Sequence, residues 1–593
     1  MIKLNLLKNG CEMAHLYKKV KKGHEYFYIR ETQRVYGKPT TINQVYLGTA
    51  DKVQEVLGKG GFSPKEFGSV FALNELDRAM DLAGIINDIL PPKKRVRGPS
   101  LGELVFYAAL NRAIAPTSKR QLANWYETTD IQRIRPLRLE SLNSQNFWNH
   151  WDRISDSDLD KIKTAFFKKV HSLLPSQPYR LVIEAANISS PPKPSAFDGM
   201  PQPDQDFLAE HYAQQQLGLA LITERSAGVP FYYQSFSGGL PVTGFYDYLA
   251  RLLAKVSSLG VEIQDATVLV NQQMDTEPLI EQIDAKEGMH FIASYGPEFA
   301  PELTEISLKD FRPLPGKREA LPSYGGKEDE KILYYETQAP FWNRPRRVII
   351  TFDPKSFHKS YQELGKKVTR VRKEMVALQQ RYAQETTQRN AADSVKTHLT
   401  QLCHRLKISP ALFQLNFSEE KGRPRLEFQL DHGEMAGVVR HFGKNILITD
   451  HEDWGVEEIY DTCMTQAVLG PELGNGKGGN GSRSHGDAKD NRSLFQKALL
   501  PLYHWTDSKV RVHLFVCVAA LTYLTLLCQR LAAAGSKMTP SEAMEELRAL
   551  RTAIYAKAPD GKLKRVIEEV TDQQAAILKT LGYQVQDGKV TPL

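Results

Sequence analysis

Six cations near the N-terminus, Lys18, Lys19, Lys21, Lys22, Arg30 and Arg34, alternate with Tyr and Phe. That mixture suits contact with phosphate oxygens, and the bland alternative is a solvated basic hairpin. Residues 1–60 hold eleven Lys and Arg against five acids, a surplus of six. Most of the chain's net charge of +8 therefore sits in a tenth of its length. Other reactive residues form no recognisable set. His451, His504 and His513 are too far apart in sequence for a metal cluster, and structural roles are expected for them. Ser226, Ser235 and Ser237 lack the GxSxG setting of a hydrolase nucleophile. The five cysteines, Cys11, Cys403, Cys463, Cys517 and Cys528, show no CxxC spacing, which disfavours a disulfide framework and a structural zinc site. Gly470–Lys477 is followed by Gly478 rather than Ser or Thr, so it is no phosphate-binding loop.

Several elements must position these residues. The chain has 593 residues, of which 41% are hydrophobic and 25% charged, with a pI near 8.9. About three or four domains are expected from that length, and wholesale disorder is excluded. EYFYIRE and TTINQVYLGT read as strands, parted by a turn near Gly37. Residues 70–175 read as helical, with Ser100 a natural cap for SLGELVFYAALNRAIA. From 179 onward strands alternate with helices: YRLVIEAANIS, a hairpin over 217–238, a helix over 245–260, then DATVLVNQQ, DTEPLIEQI and HFIASY. This is the pattern of an α/β domain around a mixed sheet. Residues 356–407 read as a polar helical hairpin or short coiled coil, mostly solvated. RPRLEFQL and EMAGVVRH read as strands, as does KNILITD, and a helix starts near Trp454. The Gly/Asn/Ser-rich run at 470–492 reads as a mobile loop. VHLFVCVAALTYLTLLC (512–528) falls just short of a membrane span and reads as a buried core helix. No secretory signal is evident, so a reduced, cytoplasmic location and no membrane partner are expected.

Three phrases carry a family likeness. LGLALITERSAGVPFYYQSFSG, KNILITDHEDWGVEEIYDT and LYHWTDSKVRVHLFVCVAALTYL resemble parts of the DDE transposases of bacterial insertion sequences, in the long-chain branch of the insertion-sequence-four superfamily. The likeness runs from about residue 14 to 535. It implies an RNase-H-like mixed sheet with flanking helices, interrupted by an insertion, preceded by β-rich and helical modules. The implied modules are a basic DNA-binding arm (1–65), a helical DNA-binding or dimerisation module (70–175), and the first part of the RNase-H-like domain (176–353). An insertion (354–442), the last strand and helices (443–535) and an αβ tail (540–593) follow. Double-stranded DNA is the implied partner, with a homodimer across two DNA ends and an association with the bacterial nucleoid. Lys477 would join the N-terminal cations on DNA.

The family places three carboxylates around two divalent ions that flank a phosphodiester. Here the matching positions depart from the pattern. Glu184, in Glu184-Ala185-Ala186-Asn187, replaces an Asp. Asn271 stands at the second acid, after ATVLV. In the Tyr-x2-Arg-x3-Glu-x6-Lys signature the positions fall on Cys463, Gln466, Gly470 and Lys477, so a glycine replaces the third acid. Asp275 and Glu472 are nearby substitutes, although Asp275 also suits a helix cap. The resemblance therefore implies a domesticated, catalytically inactive DNA-binding derivative that needs no cofactor. The alternative is an active transposase using Mg²⁺ on Glu184, Asp275 and Glu472.

Overall fold

The computed structural model describes the chain apart from residues 1–14, 22–23, 36–37, 49–61, 93–97, 189–216, 238, 241–243, 272–273, 275, 316–330, 383–387, 421–422, 466–506 and 558–561. Its Cα packing separates two units, one from residues 1–266 and 467–593, the other from 267–466. The segments 1–65, 70–175 and 540–593 all fall in the first.

The first unit opens with an antiparallel sheet, β1 (His15–Lys21), β2 (His24–Val35) and β3 (Lys38–Gly48), in that spatial order. β4 (Phe62–Glu66) leads into α1 (Gly68–Met80) and α2 (Leu82–Ile89). α3 (Leu101–Ile114) is held at its start by a capping box between Ser100 and Glu103, and Glu103 is its one residue that is not buried. At Gly102 an added Cβ would lie 2.2 Å from the Ala83 carbonyl oxygen, so only glycine lets α2 and α3 approach this closely. α4 (Asp156–Ser172) follows. The antiparallel strands β5 (Tyr179–Ile188), β6 (Leu217–Glu224) and β7 (Pro230–Ser237) come next, with β6 central and buried throughout. α5 (Phe245–Ser258) packs on β7.

The second unit begins inside β8 (Ile263–Val270), at Thr267; β8, α6 (Thr276–Asp284) and β9 (Met289–Tyr295) form a strand–helix–strand passage whose two strands are neighbours. That connection is the one a parallel pair needs. β10 (Leu333–Phe341) and β11 (Arg344–Phe352) turn through Trp342 and Asn343, both at positive φ, as a two-residue hairpin requires. α7 (Pro354–Tyr382) and α8 (Gln388–Leu406) pack together over the hairpin β12 (Phe413–Glu420) and β13 (Arg423–Leu430). The polar sequence of these helices hides a seam: Leu364, Val368, Val371, Met375 and Tyr382 recur at spacings of three, four and seven and are buried.

EMAGVVRH is not a strand. Residues His432–Val439 form a helix, α9, because Asp431 accepts hydrogen bonds from the Gly433 and Glu434 amides and caps it. Those bonds hold the Asp431 carboxyl below its ordinary range. β14 (Lys444–Thr449) then inserts antiparallel between β11 and β9, and the short α10 (Val456–Tyr460) runs on into a π-helical turn over Asp461–Thr465. Strands of both hands of pairing with helices around them make the protein a mixed α/β structure.

The chain returns to the first unit with α11 (Asp507–Ala533). This helix is long and apolar enough to cross a bilayer, yet 89% of its most apolar stretch is buried. It packs along α3, and Phe515 meets Phe166 edge-on at 5.4 Å. Each such side chain contributes about 1.5–3 kcal/mol of apolar burial. α12 (Pro540–Ala549), β15 (Arg551–Lys557), β16 (Lys562–Ile567), α13 (Asp572–Thr580), β17 (Tyr583–Gln586) and β18 (Lys589–Pro592) complete it, with β15 pairing to β4.

Two polar groups inside this unit set its electrostatics. Asp77 receives the Tyr523 hydroxyl at 2.6 Å and the Leu82 amide at 3.1 Å, and it pairs with Arg135 at 2.7 Å. Lys119 is buried, its Nζ without a hydrogen-bond partner among the described residues and over the Trp151 ring at 5.0 Å. Burial, then the nearby Arg112, lowers its pKa to about 7. The unfolded chain binds that proton more tightly, so stability should rise as pH climbs from about 7 toward 10.5. Lys119→Met is expected to stabilise by about 2 kcal/mol at neutral pH. Urea unfolding should show that gain shrinking toward pH 10.

Candidate nucleic-acid interface

The β1–β3 sheet sorts the N-terminal cations by its pleat. Tyr17 pairs with Tyr28, Lys19 with Tyr26, and Tyr28 with Tyr46 in turn. Side chains alternate along each strand, so one face carries Tyr17, Lys19 and Lys21 from β1. It takes Tyr26, Tyr28, Arg30 and Arg34 from β2, and Tyr46 from β3. The tyrosines run as a chain of ring contacts, Tyr17–Tyr28 at 6.3 Å, Tyr28–Tyr46 at 5.2 Å and Tyr26–Tyr46 at 6.2 Å. The Arg30 guanidinium lies 3.6 Å from the Tyr17 ring centre and donates to Gln44 Oε1 at 2.7 and 3.1 Å. Lys19, Lys21, Arg34 and Tyr46 are exposed. No Asp or Glu points to this side among the described residues, so the face is uniformly cationic.

The opposite face anchors the sheet. Ile29 and Val35 are buried on it, and Lys18 spends its charge on Glu25 at 2.6 Å. Glu31 meets Arg565 of β16 in a two-pronged pair, with Arg565 Nε and Nη2 each 3.1 Å from a carboxylate oxygen. Arg565 also donates to the Ser63 and Thr552 carbonyls. Burial alone would raise the Glu31 carboxyl, but Arg565 and the Asn43 amide bring it below its ordinary value.

Sequence spacing treated Lys18 and Lys19 as equals, and the pleat puts them on opposite sides. Lys19, Lys21, Arg30 and Arg34 are brought together, Lys18 is not, and Lys22 and Lys477 lie outside the described residues. The gathering of four tyrosines, Tyr17, Tyr26, Tyr28 and Tyr46, on the same face as the cations is what residue-by-residue reading missed. Their strand alternation, Tyr26-x-Tyr28-x-Arg30, was the available signal.

The expected acid positions are placed as follows. Glu184 sits in the middle of β5, in the first unit, buried and opposite Leu221. Asn187, three residues on, accepts the Leu240 amide at 2.6 Å, a structural use of its side chain. Asn271 follows the end of β8 in the second unit, half-buried, with its carbonyl receiving the Met274 amide at 3.1 Å. Asp275, Gly470 and Glu472 lie outside the described residues. Ser226 is bound to Glu224 in the β6–β7 turn, which gives it a turn-closing role.

No protein-family model matches the chain, and no curated protein matches it. Among solved structures, it is similar to a piggyBac transposase in a synaptic complex with hairpin DNA, at 10% identity over 83% of this chain and 82% of that one. The TM-score of that likeness is 0.30.

Proposed function

We propose that the chain is a transposase-like DNA-binding protein, inactive in strand transfer, whose first DNA contact is the cationic tyrosine face of β1–β3. The observation that carries this reading is the gathering of Lys19, Lys21, Arg30 and Arg34 on one side of the sheet, with no acid there among the described residues. A duplex backbone presents a line of negative charge, and four aligned cations release counterions on contacting it. The phrases that resemble insertion-sequence transposases support the transposase-like part and an RNase-H-like reading of the α/β strands. The inactive part rests on chemistry. Glu184 would be the one charged position left of three, with Asn271 neutral and Gly470 bare. A lone carboxylate holds Mg²⁺ weakly, and without paired ions neither the attacking nor the leaving oxygen is stabilised. A homodimer associated with the nucleoid in the cytoplasm completes the proposal, with no cofactor required.

Gel shifts at graded salt test the binding. Lys19→Glu with Lys21→Glu should flatten the salt slope by roughly 0.9 for each phosphate left unneutralised, and should weaken every duplex alike. Lys18→Glu, on the other face, should change little. Equal weakening by both variants would remove this face from the reading. Nicking of supercoiled plasmid tests the chemistry. The protein should leave it intact in Mg²⁺ or Mn²⁺, whereas metal-dependent nicking abolished by Glu184→Gln and by Asp275→Asn or Glu472→Gln would establish an active enzyme with displaced acids.

A further inference from the structure

His290, Asp450 and His451 come together in the second unit across the β9–β14 pairing. The register sets Ile292 opposite Thr449. Continued outward, it brings Asp450 beside Phe291 and His451 beside His290. The contacts agree: Asp450 Oδ1 accepts the Phe291 amide at 2.9 Å, and Oδ2 lies 2.9 Å from His290 Nδ1. The two imidazoles overlap, with centroids 4.4 Å apart and planes 28° from parallel. One potential ligand atom from each of the three residues lies within 4.8 Å of the other two.

Several neighbours hold this set in place, and the exposed Asp453 carboxylate lies 4.0 Å from His451 Nδ1. His451 is buried, its Nε2 lies 2.9 Å from the Thr267 hydroxyl, and its other flank rests on the Trp454 ring at 3.7 Å. Its amide donates to Thr449 Oγ1, and its carbonyl receives the Arg347 guanidinium at 2.9 Å. His290 and Asp450 also line a cavity of about 960 Å³, together with Glu452, Glu336 and Arg347. His290 and Asp450 thus face the cavity, and the buried His451 forms the packed back.

We propose that His290, Asp450 and His451 bind one divalent transition-metal ion, of the zinc or cobalt kind, with its remaining positions open to the cavity. Two imidazoles and one carboxylate suit such ions, whereas Mg²⁺ prefers an all-oxygen shell. The 2.9 Å between Nδ1 and Oδ2 matches two ligands about 2.1 Å from an ion at a right angle, and a tetrahedral shell opens it to roughly 3.4 Å. The ion takes the place of the proton shared there. His451 closes in by a small tilt of its ring, and the Thr267 hydroxyl and Phe291 amide serve as the outer contacts that orient the ligands. This inference goes beyond the DNA-binding reading and stands or falls separately from it.

The test uses the full chain, stripped with chelator and titrated with Co²⁺, whose visible absorption reports nitrogen and oxygen ligation directly. One Co²⁺ per chain is expected, displaced by Zn²⁺, with a rise in melting temperature on loading. His290→Gln, at a half-buried position, should lower affinity at least tenfold while the metal-free melting temperature holds. Asp450→Asn, which can still accept the Phe291 amide, should do the same, and Thr267→Val should weaken binding about tenfold through the ring it orients. Failure to bind Co²⁺ or Zn²⁺ stoichiometrically, or equal binding in His290→Gln and Asp450→Asn, would overturn the site and leave a hydrogen-bonded His–Asp pair.

Discussion

Arg565→Met is expected to destabilise the first unit by about 3–5 kcal/mol, the range for breaking a buried ion pair from one side. The guanidinium is almost wholly enclosed, and its removal strands the Glu31 carboxylate and the Ser63 and Thr552 carbonyls. Asp130, 4.0 Å from Arg565 Nε, is deprived of the same neighbour. Lys65 would gain, since burial and then Arg565 hold its pKa near 8. That relief offsets part of the cost and does not reverse it. Urea unfolding followed by tryptophan fluorescence measures the change. The pH dependence is separable. Glu31 titrates below its ordinary value of 4.5 in the folded state, so the stability it contributes is complete above 4.5 and fades as pH falls through the lower folded value. The wild-type advantage over Arg565→Met should therefore narrow on acidification. On the proposed DNA-binding reading, affinity for duplex should fall together with stability, because Arg565 holds the sheet that carries the cationic face.

Asp77→Ala should cost about 3 kcal/mol, near the lower end of the same range, because its partner Arg135 is partly exposed and can recover water. What cannot recover is the Tyr523 hydroxyl. It is enclosed in α11, and burial followed by the Asp77 charge keeps it protonated well above the ordinary phenol range. Without Asp77 the Tyr523 donor has no acceptor in its place, at a cost of about 1–3 kcal/mol. Tyr523→Phe in the Asp77→Ala background should restore part of the stability. A double-mutant cycle by thermal unfolding checks it, and strict additivity of the two changes would mean that the pair is not coupled.

How far the sequence anticipated this structure depends on the range of the interactions. α11 and the β6–β7 hairpin were legible because unbroken apolar runs and period-two patterns are local. EMAGVVRH failed for an equally local reason: its residues alternate passably, but Asp431 in front of them is a helix cap, and the cap won. The seam of α7 was masked by the many Lys, Arg, Glu and Gln around it. His451 was passed over because its partner, His290, is 161 residues away in the chain, and only the pairing of β14 with β9 joins them. The division between Lys18 and Lys19 needed the strand register. The acid positions were read by likeness to a family pattern, and Glu184 and Asn271 fall in different units.

The position of β1 has a consequence for how the protein behaves in concentrated solution. In the described sheet β1 is an outer strand, paired to β2 on one side. Leu16 and Val20 on it are about half exposed. A bare strand edge with apolar side chains is a template for another strand, and closely spaced lysines are a common guard against that association. Lys19 and Lys21, which unlike Lys18 are not paired with Glu25, supply that guard on β1. Replacing Lys19 and Lys21 by alanine should increase self-association through this edge, with light scattering that rises with salt as the remaining charges are screened.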